Sequence, residues 1–214
     1  MRIGVVGAGS WGTALANHLV RNGHEVVIWA REPEVVIAIN ESGVNSPFLP
    51  DCPLESGLRA TGTIAEAVVG AELVVSAAPS HAVRSVAGGV LDALGAAPTA
   101  VIVSVSKGLE PETHLTMTDL LAEVFDGGGN SRGGRIVALS GPSFALEVYQ
   151  GMPTAVVAAS SDQAAARVTQ ETFSARLGAH DVPCESGSED HPASLMNPSR
   201  RPAEHFPDSL FFFP

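Results

Sequence analysis

Short, uninterrupted aliphatic runs alternate with longer stretches of helical spacing along the first 174 residues. No other feature narrows the fold as much. The runs RIGVV (2–6), HEVVIWA (24–30), AELVVSAAP (71–79), TAVIVSVS (99–106), RIVALS (135–140) and PTAVVAAS (153–160) have strand lengths, with LRATGT (58–63) a further short strand. Strands that are apolar on both faces belong to a parallel sheet covered on both sides by helices. Helical spacing over 13–23, around EPEVVIAINESG (32–43), and over 63–70, 80–94, 111–125 and 161–173 supplies those covers, with Thr63 and Ser80 in capping positions. The prolines of VNSPFLPDCP make it an irregular loop, and DGGGNSRGG (126–134) reads as a flexible one. The expected fold is a doubly wound α/β sheet with right-handed crossovers.

From about Ala175 the composition changes. Residues 175–214 hold six prolines and three histidines and show no periodic apolar face. Such a segment buries too little to offset its ordering entropy, so a disordered tail is expected there.

The first strand runs into Gly7-Ala8-Gly9-Ser10-Trp11-Gly12, and TALANHLVRNG continues as a helix. Gly7 permits a tight turn off the strand, Gly9 lets backbone approach a pyrophosphate, and Gly12 allows close packing of helix on sheet. The free N–H groups and positive dipole end of the helix then face the phosphates. A bare G-x-G-x-x-G is a weak signal, but its place between a strand and a helix makes it a Rossmann-type dinucleotide loop. The second strand ends in WAREPE, with Arg31 where NAD binders place an acid. An arginine there suits a 2′-phosphate and favours NADPH; Glu32 leaves NADH possible. Arg31 also fits a plain solvated charge.

Ligands of open parallel sheets lie beyond the carboxyl ends of the strands. AAPS (77–80) ends the fourth strand, and its small residues allow close passage of a cofactor. SVSKG (104–108) ends the fifth, and Lys107 is the only lysine among the 12 basic residues of the chain. LSGPSFALE (139–147) ends the sixth, with Gly141, Pro142 and Ser143 expected to open a short helix and offer amides and a hydroxyl to a phosphate. Singly, Lys107 fits an exposed lysine, Ser143 a cap and Pro142 a turn former. Their convergence on one edge favours a site.

A formal charge of −11 argues against nucleic-acid binding, though not against a small phosphorylated substrate held by one local lysine and several amides. Cys52 and Cys184 have no metal-ligand spacing, so no metal is expected and both read as reduced thiols. No apolar run reaches membrane-span length and the start lacks a signal-peptide pattern, which leads to a cytoplasmic expectation. His18, His24, His81 and His114 read as packing or surface residues.

These pieces together resemble the bacterial NAD(P)-dependent glycerol-3-phosphate dehydrogenases. The resemblance is carried by GAGSWGTALA, WAR after the second strand, NSPFLP (45–50), AAPSHAVR, SKGLEPET and LSGPSFALEV, in order over residues 1–174. It implies interconversion of dihydroxyacetone phosphate and sn-glycerol 3-phosphate with NAD(P)H, for phospholipid synthesis. It implies cofactor contacts at Ser10, Trp11, Arg31, Lys107 and Ala145, and substrate contacts at Lys107, Gly141 and Ser143. The family continues into a helical second domain whose opening motif, similar to G-A-L-K-N, supplies a second, acid/base lysine. No such motif follows QETFSA here, so a frameshifted or truncated, catalytically impaired chain is expected. Apolar surface normally covered by that domain would promote homodimers or other self-association. The alternatives are a non-catalytic dinucleotide-binding module and a fragment of a two-domain 3-hydroxy acid dehydrogenase.

Overall fold

The structure, a computed structural model, describes residues 1–95, 99–126 and 135–174 together with the backbone of 210–213. In chain order it contains β1 (Arg2–Val6), α1 (Ser10–Arg21), β2 (Glu25–Trp29), α2 (Pro33–Ile37), β3 (Arg59–Thr61), α3 (Ile64–Val68) and β4 (Leu73–Ser76). There follow α4 (Val83–Leu94), β5 (Val101–Ser104), α5 (Met117–Asp126), β6 (Ile136–Ser140), α6 (Ala145–Tyr149), β7 (Thr154–Ala159), α7 (Gln163–Phe173) and β8 (Leu210–Phe213). The sheet order is β3-β2-β1-β4-β5-β6-β7-β8, parallel from β3 through β6. The Rossmann-type doubly wound class expected from the alternating runs is the class observed.

The two-sided burial has a direct cause in the strand pattern. Successive side chains point to opposite faces, so a run of aliphatics feeds two cores at once. Ile3 and Val5 of β1, Leu73 and Val75 of β4, and Val101 and Val103 of β5 pack with Leu15 and Leu19 of α1 and Phe173 of α7. Val6, Val74 and Ile102, on the other face, pack with Val68 of α3, Val86 and Val90 of α4 and Leu120, Leu121 and Phe125 of α5. Each fully buried Val, Leu, Ile or Phe is worth about 1.5–3 kcal/mol relative to exposure.

Four expectations require correction. First, β7 runs antiparallel to β6, pairing Ala138 with Ala159 and Ser140 with Val157. Helix α6 has five residues, about 7.5 Å of rise, and is too short to carry the chain back across the sheet for a parallel return. Second, Gly141, Pro142 and Ser143 do not open that helix. Phe144 holds extended backbone (φ −117°, ψ 145°) as its N-cap, so the loop precedes α6 and the helix begins at Ala145. Third, a single 3₁₀ turn occupies Ser80–Ala82 and the residue capping α4 is Ala82. Fourth, α5 starts at Met117, not 111: residues before it form a turn, and the Thr116 hydroxyl accepts from the Asp119 amide at 3.2 Å.

The expected loop at 126–134 lies almost wholly outside the described residues, as do Cys184 and all of the expected disordered tail except Leu210–Phe213. Those four residues are not irregular: their backbone pairs antiparallel with β7, Thr154 opposite Phe213 and Val157 opposite Leu210. An aromatic-rich run has strong strand propensity, and the outer edge of β7 offers unpaired backbone groups to receive it.

Candidate functional site

Strand order reverses between β1 and β4, which makes the carboxyl ends of these two neighbours a topological switch point. A cleft of about 340 Å³ opens there, lined by Gly9, Ser10, Trp11 and Gly12 after β1, Ala77–Pro79 after β4, Val105–Lys107 after β5 and Ser143–Ala145 after β6.

The three loop glycines have three different reasons to be glycine. Gly7 sits at φ +121°, and a Cβ there would meet the Ala77 backbone at 2.8 Å. A Cβ on Gly12 would come within 2.0 Å of the Gly7 carbonyl oxygen. Both are demanded by the turn and by the approach of α1 to β1. Around Gly9, whose φ of −67° suits any residue, a Cβ would meet no protein atom within 4 Å. The fold therefore does not require glycine at this position, while a ligand laid across the loop would.

Gly9 is also the N-cap of α1, and the first turn of that helix carries no acidic residue. Its leading N–H groups are left for an anion. Trp11 adds an indole Nε1 that is buried and has no hydrogen-bond partner among the described residues. Open space at Gly9, unsatisfied amides and an orphaned indole donor on one wall fit a dinucleotide pyrophosphate.

The loop itself is held from outside. Asn45, fully buried in the irregular segment after α2, donates from Nδ2 to the Ala8 carbonyl at 2.9 Å and to the Thr13 hydroxyl at 2.7 Å. Thr13 in turn donates to the same Ala8 carbonyl at 3.2 Å. Asn45 lies in the NSPFLP stretch, and its tie to the loop is a long-range contact with no local sequence signal.

Opposite α1, Lys107 is exposed and its Nζ donates to the Gly141 carbonyl at 3.3 Å. Ser143 is 8% exposed, and its hydroxyl leans toward the same carbonyl at 3.4 Å. The Gly141 position has a packing explanation, because a Cβ there would meet the Ala155 carbonyl oxygen of β7 at 2.4 Å. Ser106 stitches two of the lining segments together, donating to the Ala78 carbonyl at 2.5 Å.

Of the residues singled out from the sequence, Gly9, Ser10, Trp11, Gly12, Lys107, Ser143 and Ala145 line one cleft. Gly7 lies behind it as the turn, and Gly141 reaches it through its carbonyl group. Arg31 stands apart from the lining, past the end of β2, with its guanidinium on the Glu32 carboxylate at 3.0 Å. Phe144, 71% exposed, lines the cleft and was not anticipated. Among the described residues no His, Cys, Asp and Glu cluster could hold a metal, and no helix is long and apolar enough to cross a membrane.

The model for the N-terminal part of NAD-dependent glycerol-3-phosphate dehydrogenase matches residues 2–166. The chain belongs to this family. A glycerol-3-phosphate dehydrogenase (NAD(P)+) of Trichlorobacter lovleyi is 46% identical over 174 residues, 81% of this chain and 51% of that protein. The enzyme of that name from Listeria monocytogenes is 43% identical over 80% of this chain and 49% of its own length. The crystal structure of glycerol-3-phosphate dehydrogenase from Coxiella burnetii is 31% identical and superposes with a TM-score of 0.71, covering 82% of this chain and 51% of that one. The chain thus spans about half the length of the glycerol-3-phosphate dehydrogenases it matches.

Proposed function

We propose that this chain binds NADPH, and NADH less well, along the α1 wall of the cleft and presents dihydroxyacetone phosphate to it beside Lys107. The reaction would be reversible reduction of that ketone to sn-glycerol 3-phosphate, for glycerophospholipid synthesis. One observation carries the reading: the anion-ready start of α1 and the chain's single lysine face each other across one cleft at the switch point of the sheet.

When bound, the cofactor supplies the hydride. The chain's own groups do the rest. Free amides at the start of α1 receive the pyrophosphate, with Ser10 and Trp11 beside it, and Ala145 offers a small side chain on the far wall. Arg31, exposed past β2, is available to a 2′-phosphate if it leaves Glu32, which is the basis for preferring NADPH. The Lys107 ammonium stands ready to stabilise negative charge developing on a ketone oxygen. Gly141 and Ser143 would border the phosphate end of the substrate.

A second reading, a dinucleotide-binding module without turnover, is favoured by the cleft's lining. Apart from Lys107 it contains no titratable side chain to act as general acid or base. Loss of such a group costs about 10²–10⁴-fold. Impaired turnover is accordingly part of the proposal, as is association of copies through apolar surface beside the cleft.

Fluorescence titration with NADPH, run beside NADPH oxidation in the presence of dihydroxyacetone phosphate, tests both readings. Binding with turnover that disappears in Lys107→Ala supports the enzyme. Binding without turnover leaves the module, and absence of binding removes both.

A further inference from the structure

We infer that Arg84 and Glu110 form a strut that sets the reach of Lys107 into the cleft. They are positioning residues, and neither is among the residues that line the cleft. The inference rests on the proposed function only for the importance of Lys107, and its geometry stands independently.

The segment carrying Lys107 leaves the sheet at Ser104 and must be held on both sides of the lysine to aim it. On the upstream side, the Val105 amide donates to the Ser76 carbonyl at 3.0 Å and the Ser106 hydroxyl donates to the Ala78 carbonyl. Downstream, Gly108 has φ +95° and turns the chain away from the site. Three residues beyond Lys107, Glu110 is 3% exposed, a rare fate for a carboxylate and one that requires a partner.

That partner is Arg84 of α4. Its Nε and Nη2 donate to the two Glu110 oxygens at 2.7 Å each, a paired fork-to-fork geometry. The Thr113 hydroxyl also donates to Glu110, and Arg84 Nη1 reaches Glu123 of α5 at 2.9 Å. The Glu110 amide donates to the Leu115 carbonyl, and its own carbonyl accepts from His114, closing a compact turn at 110–115. Arg84 thus ties this turn to two helices of the layer under β4 and β5. Hydrogen bonds from Arg84 and then Thr113, with the Arg84 charge behind them, hold the Glu110 carboxyl down at about 2, so the pair stays ionised at neutral pH.

By contrast, the Lys107 ammonium is tethered to the Gly141 carbonyl by a single longer bond of 3.3 Å among the described residues. With Ser106 fixed above and Glu110 fixed below, its stem has little freedom at the base, which is what brings Nζ to that carbonyl. Loss of the strut frees the 107–110 segment and with it the ammonium.

The single lysine makes a direct test available on the full chain. Brief acylation with acetic anhydride, followed by peptide mass spectrometry, reads the Lys107 amine against the Met1 α-amine as an internal standard. Glu110→Gln and Arg84→Lys are each expected to raise the Lys107-to-Met1 labelling ratio by roughly fivefold, the factor released by losing one ordinary net hydrogen bond. Glu110→Asp, which keeps the charge, is expected to fall between them and the unaltered chain. Circular dichroism establishes which variants are folded, and an unchanged ratio in any folded Glu110→Gln or Arg84→Lys protein overturns the inference. Protection of Lys107 by dihydroxyacetone phosphate in the unaltered chain is a separate arm. Its absence would count against the proposed substrate and leave the strut standing.

Discussion

At the scale of single residues, the glycine loop separates folding demands from binding demands. A methyl group on Gly12 would press on the Gly7 carbonyl from 2.0 Å, while one on Gly9 meets only open space. Gly12→Ala should therefore lower thermal stability, by about 1–3 kcal/mol for an overpacked site. Gly9→Ala should leave the melting temperature unchanged and weaken NADPH binding by about tenfold, or about 1.4 kcal/mol. Thermal melts and fluorescence titrations of the two variants check this; equal effects on both quantities would contradict the division. The sequence motif assigned a turn to Gly7, a phosphate approach to Gly9 and helix packing to Gly12, but could not supply the opposing atoms, which come from the Ala77 backbone and the Gly7 carbonyl. Gly141 shows the same limit. Its substrate role is what the family resemblance implies, and nothing in the sequence signals that the β7 backbone also presses on this position.

At the scale of elements, α1 is fastened to the end of α7 by imidazoles that the sequence left as packing residues. The His18 Nε2–H donates to the Phe173 carbonyl at 2.8 Å, His24 Nε2 lies 3.2 Å from the Thr172 carbonyl, and Asn22 donates to the same carbonyl. Burial pushes the His18 pKa below its usual value. The Phe173 carbonyl acts in the opposite sense, and the nearby charges of Arg21 and His24 add to the lowering. The unfolded chain then takes up a proton near about pH 6.5 that the folded chain resists. Stability contributed by neutral His18 is fully present above that pH and is lost as pH falls through it. Urea unfolding on either side of about pH 6.5 should show this loss in the unaltered chain and a smaller one in His18→Gln. The same slope in both proteins would remove His18 as its source. Strands were legible because β1, β4 and β5 are aliphatic on both faces, a pattern that only a doubly covered sheet satisfies. The direction of β7 was not, since it depends on how short α6 turns out to be. The start of α5 was also misread, because a turn tied by Thr116 precedes its apolar face.

At the scale of the molecule, the distribution of exposed apolar side chains argues for contact between copies. Phe144, which lines the cleft, is 71% exposed, and Leu146 and Leu109, each 51% exposed, follow the lining residues Ala145 and Lys107 by one and two positions. Single exposed apolar residues are ordinary, but three on the segments that build one cleft are the basis for expecting association there. A second copy of the chain is the occupant we expect, since such surface is present on every molecule; the formal charge of −11 carried by each copy opposes the contact. Screening of that like charge by salt should strengthen the contact. Sedimentation velocity over a concentration series should show association that rises with both protein and salt and falls in Phe144→Ser/Leu146→Ser. A monomer at every concentration and salt would overturn the expectation. Because Phe144 also lines the cleft, NADPH should compete with association in the unaltered chain, and a titration of the sedimenting species with NADPH distinguishes apolar contact at the cleft from contact elsewhere.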